Sequence, residues 1–195
     1  MKLHFIDAPG ITASAIAKLE EGQYTLHVDS PEPATVLLST LGRMPLPPYI
    51  KREKDHDQRD DFDRQRYQTV YAKSSGSIAA PTAGLHFTDA LLRELDEAGI
   101  QRTFVTLHVG LGTFKPVTTD SLDQHAMHTE SYSIPNVAAE ALNRAKSNGQ
   151  RIIAVGTTSA RVLESQPADQ PFREITSATS IFIYQGGRQL RAVDR

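Results

Sequence analysis

The sequence predicts an α/β protein: a three-layer α/β/α domain with a mixed, mostly parallel sheet. Apolar runs rich in β-branched residues recur through the second half of the chain, and amphipathic helical segments lie between them. One run, RIIAVG at 151–156, is apolar without alternation, which is typical of a strand buried on both faces of a parallel sheet. Because the chain has 195 residues, it can bury one sizeable core.

The first half predicts short elements separated by prolines. KLHFI at 2–6 and QYTLHVD at 23–29 predict strands, and ASAIAKLEEG at 13–22 predicts a short helical segment between them. VLLSTLG predicts a helix that ends at Gly42. The charged run at 51–66 predicts a solvated loop or helix face, because such runs seldom carry chemistry.

The second half predicts helices and strands in alternation. The apolar stripe of TDALLRELDEAG predicts a helix with Thr88 as its N-cap and Gly99 just past its end. Another helix is predicted over NVAAEALNRAKSNG, with Asn136 as its cap. The remaining predictions are a helix at 157–165 and strands at 102–110, 151–156 and 179–186.

The composition excludes several classes of function. The chain has no cysteine, which removes disulfides, thiolate catalysis and cysteine-ligated metal sites. No run of eighteen apolar residues is present, and the first ten residues, MKLHFIDAPG, lack the apolar core of a secretory signal, so we expect a cytoplasmic protein. The net charge of −2 gives no support for a nucleic-acid partner, although local basic clusters remain possible.

Two glycines follow a predicted strand in LHVGLGTFKP. Gly110 and Gly112 form a weak dinucleotide signal, because the third glycine of that motif is missing and Pro116 leaves no room for a helix start. The functional interpretation is that the glycines bring the backbone close to a ligand, with His108 and Thr113 pointing at it. The alternative is that His108 is a hydrogen-bonded core residue.

Two further segments carry polar groups beside helix starts. In AAPTAGLHF, His86 precedes a helix, where a neutral imidazole is favoured; the alternative is a structural loop. In IAVGTTSARVLE, a strand, a tight turn and a helix place Thr157 and Thr158 where an anion can bind. Arg161 and Glu164 share a face of that helix, so the alternative there is a capped helix with a surface ion pair.

The segment DQHAMHTESY, at 123–132, holds three titratable side chains within six positions. A helix would place His125 and His128 on one face, whereas an extended chain would place His128 and Glu130 on one face. The spacing does not match the H-E-x-x-H motif of zinc hydrolases. A metal site, an acid–base pair and an ordinary surface segment all stay open on these residues alone.

Seven ordered segments together resemble the S-adenosylmethionine:tRNA ribosyltransferase-isomerase family. They are GRMPLPPYI, YQTVYA, AAPTAGLHF, FVTLHVGLGTFKPV, HAMHTESYSIP, RIIAVGTTSARVLE and IFIYQG, and the match as a whole covers about residues 38 to 194. The resemblance implies transfer and isomerisation of the ribosyl unit of S-adenosylmethionine to 7-aminomethyl-7-deazaguanine at the tRNA wobble position. The products would be epoxyqueuosine in the tRNA, adenine and methionine.

The resemblance also implies the architecture and the partners. The family fold is a large α/β domain with a smaller inserted β-barrel, so residues 1–35 would be a remnant of the barrel and 36–195 a partial α/β catalytic domain. S-adenosylmethionine would be a co-substrate, with no metal and no prosthetic group. The other substrate would be a tRNA with a GUN-type anticodon, and we expect a monomer without a membrane partner when the enzyme is complete.

The implied chemistry suggests roles for the conspicuous residues. The sulfonium acidifies the C5′ hydrogens, so a base must remove one and an acid must help adenine leave. Histidine can serve either role and glutamate can serve as the base, so Glu130 or His128 would be the base and another histidine the acid. We expect His128 and Glu130 to be the central catalytic pair, with His125, His108 and His86 close by. The predicted contacts to the co-substrate are the glycine segment with Gly110, Gly112 and Thr113, and the anion site with Thr157, Thr158 and Arg161.

The sequence departs from the family pattern at three positions and at both ends. Gln124 replaces an acidic residue before His125, while Ser180 and Gln185 replace the usual neighbours of IFIY. The family's segments before Met1 and after Arg195 are missing, so we expect a truncated member that is inactive alone. The alternatives are a different S-adenosylmethionine or nucleotide enzyme on the same core, and a catalytically dead tRNA- or nucleotide-binding remnant.

Overall fold

The computed structural model forms two compact units. The first combines Met1–Met44 with Lys51–Arg64, and the second combines Pro45–Ile50 with Gln65–Arg195. The predicted boundary after residue 35, and the barrel origin of the first part, stay predictions. The structure describes residues 1–5, 8–19, 23–53, 57–114, 127–167, 169–184, 186–187 and 189–194.

The first unit contains an antiparallel sheet with strand order β1-β2-β3, formed by Lys2–Phe5, Ala8–Lys18 and Tyr24–Asp29. The two outer strands confirm the predictions at 2–6 and 23–29. The predicted helical segment at 13–22 is wrong, because most of it lies in β2. As the central strand, β2 pairs on both sides, and these pairs outweigh the helix propensity of its alanines.

Two helices and a network of ion pairs complete the first unit. Helix α1, Ala34–Leu41, ends as predicted, and the Gly42 N–H donates to the Leu38 carbonyl at 3.0 Å. Helix α2 is Asp60–Arg66, and its residues up to Arg64 belong to this unit. The predicted solvated run therefore becomes a loop and a helix, in which two acidic residues are buried against arginines: Arg59 pairs with Asp57 at 2.7 Å and Arg52 pairs with Asp63 at 2.5 Å.

The second unit contains an antiparallel sheet with order β4-β5-β6, formed by Thr106–Leu107, Glu130–Ile134 and Ile175–Thr179. Mixed α and β structure is therefore confirmed, and the three-layer arrangement stays a prediction. The prediction of a mostly parallel sheet is wrong for the described strands, because β5 pairs antiparallel with both neighbours. The direction of a strand relative to its neighbour depends on which distant segment pairs with it, and the apolar pattern of a single strand does not contain that information.

The strand predictions at 151–156 and 179–186 do not match the strands of the structure. The segment 151–156 is outside the described sheets: Ile152 is buried, but Ile153 is 65% exposed. Instead, the Asp194 N–H donates to the Ile152 carbonyl at 2.8 Å, and the Ile152 N–H donates to the Asp194 carboxylate at 2.7 Å. The strand predicted at 179–186 is wrong, because β6 occupies Ile175–Thr179 and the described residues 180–184 are in no strand.

The predicted helices of the second unit are confirmed as α3, Asp89–Glu97, α4, Asn136–Ser147, and α5, Gly156–Glu164. The Thr88 side chain caps α3 by accepting from the Leu91 N–H at 3.1 Å. Residue 135, a proline, is the N-cap of α4, so the cap prediction for Asn136 was one residue too late. The core lies where α4 and α5 pack with β5, and its buried residues are Tyr132, Ile134, Ala138, Ala139, Leu142, Ile152, Val162, Leu163 and Phe172.

Candidate functional site

The candidate site is centred on the first residue of β5, Glu130. Its side chain is only 6% exposed, and both carboxylate oxygens are bonded. One oxygen accepts from the Gly110 N–H at 3.0 Å. The other accepts from the Arg161 guanidinium in an ion pair. Glu130 therefore joins the glycine segment after β4 to helix α5, two regions far apart in the sequence.

The His128 imidazole packs on the same glycine segment. A Cβ atom built on Gly112 would lie 1.9 Å from the His128 Cδ2 atom, so the ring occupies the space that a side chain would need. A Cβ atom built on Gly110 meets nothing within 4 Å. The space beside Gly110 is therefore open to a ligand, whereas the space beside Gly112 is taken by the imidazole. The structure therefore brings the His128 imidazole and the Glu130 carboxylate to the same glycine segment.

Arg161 is the most connected side chain of the site. It is 11% exposed, and besides its ion pair with Glu130 it donates to three backbone carbonyls. These are the carbonyls of Ile181 at 2.9 Å, His128 at 3.2 Å and Thr179 at 3.3 Å. Its guanidinium therefore contacts the chain at the start of β5 and at the end of β6.

The surface pair between Arg161 and Glu164, the alternative left open by the sequence, is wrong. Glu164 is 2% exposed, and its carboxylate accepts backbone N–H groups from the last described segment of the chain. The shortest of these bonds are 2.9 Å from Arg191 and 2.7 Å from Ala192, and Val193 donates at 3.3 Å. Burial of a carboxylate is tolerated here because backbone N–H groups compensate for lost water.

His108 lies just after β4 and is half-buried. Its N–H donates to the Ser131 carbonyl at 2.8 Å, which extends the pairing with β5. Its imidazole packs over Gly76, where a Cβ atom would lie 3.0 Å from Nδ1 and where φ is +123°. Glycine is favoured at that backbone angle. The Ser77 hydroxyl fixes the same loop, because it accepts from the Val109 N–H at 2.8 Å and donates to the Leu107 carbonyl at 3.1 Å.

His86 and the predicted anion site are carried by neighbouring segments. His86 is exposed at the end of a 3-10 turn, Thr82–His86. That turn contacts the start of α5, because a Cβ atom on Gly156 would lie 3.3 Å from the Ala83 Cβ. In α5, Thr157 is exposed and Thr158 is half-buried. No side chain of the described segments caps this helix start, so its N–H groups keep the capacity to bind an anion.

One of the remaining predicted residues lies on the surface, and the others fall outside the described residues. Thr113 is exposed in a second 3-10 turn, Leu111–Phe114. His125, Gln124 and Gln185 lie outside the described residues. Among the described ranges, no group of three or more histidine, aspartate or glutamate side chains could hold a metal ion, and no helix has the length and apolarity to cross a membrane.

Sequence reasoning missed Gly76, Ser77 and the buried role of Glu164. Gly76 and Ser77 belong to KSSGS, whose composition predicts a flexible link, and their partners lie about thirty residues away, as the bond from Ser77 to Leu107 shows. No local signal connects them to His108. The position of Glu164 directly after the apolar residues of α5 is a signal for its burial, but that signal does not identify its hydrogen-bond partners.

Comparison with known proteins places the chain in a family. A family model described as queuosine biosynthesis protein matches residues 1–195. The chain belongs to the queuosine biosynthesis protein family. Two relatives in this family are named S-adenosylmethionine:tRNA ribosyltransferase-isomerase: one from Staphylococcus epidermidis (strain ATCC 12228) is 47% identical over 194 residues, and one from Staphylococcus aureus (strain JH9) is 50% identical over 177 residues. The resemblance seen in the sequence is thereby confirmed.

The matches cover nearly all of this queuosine biosynthesis family member but only part of its relatives. The alignment includes 99% of the chain and 54% of the S. epidermidis protein, and 90% of the chain and 50% of the S. aureus protein. The chain thus spans about half the length of the curated relatives it matches. A crystal structure of the S-adenosylmethionine tRNA ribosyltransferase from Thermotoga maritima aligns with 94% of the chain and 44% of its own, at a TM-score of 0.44 and 24% identity.

Proposed function

We propose that this chain carries catalytic residues of an S-adenosylmethionine:tRNA ribosyltransferase-isomerase. The reaction would transfer and isomerise the ribosyl unit of S-adenosylmethionine to 7-aminomethyl-7-deazaguanine at the tRNA wobble position, with release of adenine and methionine. The observation that supports this proposal best is the placement of the His128 imidazole and the Glu130 carboxylate on one glycine segment, at Gly110 and Gly112. Family membership and the relatives' names support it independently.

The proposed chemistry requires two proton transfers. The sulfonium of S-adenosylmethionine acidifies the C5′ hydrogens, so a base takes one of them, and protonation of adenine helps it to leave the ribose. We assign the proton transfer at carbon to His128, because imidazole can exchange protons near neutral pH. We assign Glu130 the role of a fixed negative charge beside the ribose, since Arg161 and the Gly110 N–H hold both of its oxygens.

The open space beside Gly110 is the proposed position of the co-substrate. A ligand there could approach the backbone closely, with the His128 ring on one side. The uncapped start of α5, with Thr157 and Thr158, is the proposed site for an anionic group, either the methionine carboxylate or a tRNA phosphate. His86, His108 and His125 remain candidates for the acid that protonates adenine. The proposed RNA substrate is a tRNA with a GUN-type anticodon, and the proposed complete enzyme is a monomer that uses no metal.

Calorimetry followed by an adenine-release assay tests the proposal. In the complete enzyme that contains these residues, S-adenosylmethionine should bind, and release of adenine should depend on tRNA that carries the modified wobble base. We propose that residues 1–195 alone are inactive. We expect His128→Ala and Glu130→Gln to lower the rate by about 100-fold or more, within the usual range for loss of an acid–base group. Binding of S-adenosylmethionine should persist in both variants.

Matched surface substitutions serve as controls. His27→Ala changes an exposed histidine of β3, and Glu140→Gln changes a glutamate whose side chain is 57% exposed on α4. Both should retain the activity of the unsubstituted complete enzyme. Binding without adenine release by the unsubstituted complete enzyme would favour a tRNA- or nucleotide-binding module instead. Absence of any binding would contradict both functions.

A further inference from the structure

Arg161 joins the parts of the candidate site by hydrogen bonds to four acceptors. They are the Glu130 carboxylate and the carbonyls of His128, Thr179 and Ile181. A guanidinium has five N–H donors in a rigid planar fork, so one side chain can hold several chain segments at fixed spacing. Two of the acceptors belong to the catalytic segment itself, at residues 128 and 130. The other two belong to the chain at the end of β6.

We propose that Arg161 is a positioning residue that sets the orientation of His128 and Glu130, and that it does not bind a ligand anion. This inference rests on the proposed function of these two residues. Arg161 fixes the catalytic segment at two points: the backbone at His128 and the side chain at Glu130. With the backbone fixed, the His128 imidazole is held over Gly112, where no side chain competes with it for space.

The environment of Arg161 fits positioning better than ligand binding. Its side chain is 11% exposed, and its charge is already balanced by the buried Glu130. A ligand carboxylate or phosphate would have to displace one of these acceptors and leave a buried group unsatisfied, which is costly. The uncapped start of α5 offers an anion site that requires no such displacement.

A second layer of hydrogen bonds holds the acceptors of Arg161 in place. The Thr179 side chain is buried, and its hydroxyl accepts from the Ser165 hydroxyl at 2.7 Å and from the Ile181 N–H at 3.3 Å. Ser165 lies directly after α5, one turn beyond Arg161. These bonds link residues 179 and 181, which supply two of the acceptor carbonyls, to the end of the helix that carries the guanidinium.

Nuclear magnetic resonance of histidine rings tests the inference directly. In full-length protein with labelled histidine Cε1, the His128 signal is identified by its disappearance in His128→Gln. Arg161→Lys keeps the charge but replaces the planar fork with a single ammonium, which cannot reach four separated acceptors. We expect the His128 signal to move in Arg161→Lys. The matched control is Arg144→Lys, which makes the same change at an α4 side chain that is 62% exposed and should leave the signal in place.

Calorimetry separates positioning from ligand binding. If Arg161 is a positioning residue, the affinity of Arg161→Lys for S-adenosylmethionine should be within about threefold of that of the unsubstituted chain, since no direct contact is lost. If Arg161 instead binds a ligand anion, the affinity for S-adenosylmethionine should fall by about tenfold or more, which is typical of a lost charge-assisted hydrogen bond. An unmoved His128 signal together with tenfold weaker binding would overturn the inference.

The ring signal decides the inference even if the proposed function fails. If the unsubstituted chain binds no S-adenosylmethionine, a moved His128 signal in Arg161→Lys still supports the positioning role, and an unmoved signal still contradicts it. If Arg161→Lys does not fold, the double variant Glu130→Gln with Arg161→Met removes both buried charges together and avoids an unpaired one. Its His128 signal should also move, because the bond to the His128 carbonyl is lost.

Discussion

Replacement of Gly112 by alanine tests whether the candidate site depends on space for the His128 ring. The backbone angle at Gly112 is outside the left-handed region, so an alanine can adopt it without backbone strain. The consequence of Gly112→Ala is therefore steric. The new Cβ atom would lie 1.9 Å from the His128 Cδ2 atom and 2.6 Å from Cγ, well inside van der Waals contact.

The size of the effect follows from this overlap. To restore an ordinary contact of 3.4 Å from 1.9 Å, the imidazole must move by about 1.5 Å. Displacement of a packed group in this way costs about 1–3 kcal/mol of folding free energy. For a chain of this size, each kcal/mol lowers the melting temperature by roughly 2–4 °C. If His128 carries the proposed proton transfer, a misplacement of about 1 Å also lowers the rate by roughly 100-fold.

The assay combines the His128 ring signal with thermal unfolding. Gly112→Ala should move the ring signal and lower the melting temperature. Gly110→Ala is the matched control, because a Cβ atom there meets nothing within 4 Å and the N–H that donates to Glu130 is retained. Its ring signal and melting temperature should stay close to those of the unsubstituted protein. For turnover, the control is Gly10→Ala, in an exposed part of β2 where a Cβ atom also meets nothing.

One result would refute the steric argument outright: a folded Gly112→Ala protein whose His128 signal coincides with that of the unsubstituted chain. The imidazole would then lie away from Gly112. The extended segment from His128 to Glu130 would lose its proposed contact with the glycine turn, and the proposed proton transfer by His128 would lose its main structural support.

Three further predictions concern groups outside the immediate contact with His128. Glu164→Gln should raise the hydrogen-exchange rates of the Arg191, Ala192 and Val193 amides by about tenfold or more, because a neutral amide accepts their N–H groups less strongly than a carboxylate. The exchange rate of the Ile134 amide in β5 should not change, and equal rates for the three amides in both proteins would contradict the assigned bonds. Leu142→Ala, in the core, should lower the free energy of unfolding in denaturant by about 2–5 kcal/mol, whereas Leu91→Ala, at a side chain that is 36% exposed, should lower it clearly less. Similar losses in the two variants would argue against the assigned core. Acid should destabilise the first unit, because the Arg59 side chain and the N–H groups of Glu53 and Arg59 lower the pKa of Asp57, and Arg52 lowers the pKa of Asp63. The unfolded chain then takes up protons first as pH falls, so stability is complete above the ordinary carboxyl pKa of about 3.9 and is lost below it; Asp57→Asn should flatten this dependence in circular dichroism melts, and an unchanged slope would count against the pairing.

Local sequence signals were reliable where the neighbours along the chain decide the structure. The end of α1 at Gly42 and the Thr88 cap of α3 were predicted correctly, because a cap is formed by residues within one turn. The helical prediction at 13–22 failed for the opposite reason: β2 is held by strands on both sides, and neither pairing is visible in the segment itself. The apolar run at 151–156 failed likewise, since one of its isoleucines is exposed.

For the candidate site, the sequence determined the residue types and their order, and through them the family. It left open whether His128 shares a face with His125, as in a helix, or with Glu130, as in an extended segment. Only the tertiary structure decided which partners they have. Arg161 is 31 residues from Glu130 and Gly110 is 20 residues from it, and such contacts depend on how helices and strands pack. The same packing decided that Arg161 bonds to Glu130, while Glu164, one turn along the same helix, accepts N–H groups from the end of the described chain. A buried charge needs hydrogen-bond partners, and local spacing does not specify which ones they are.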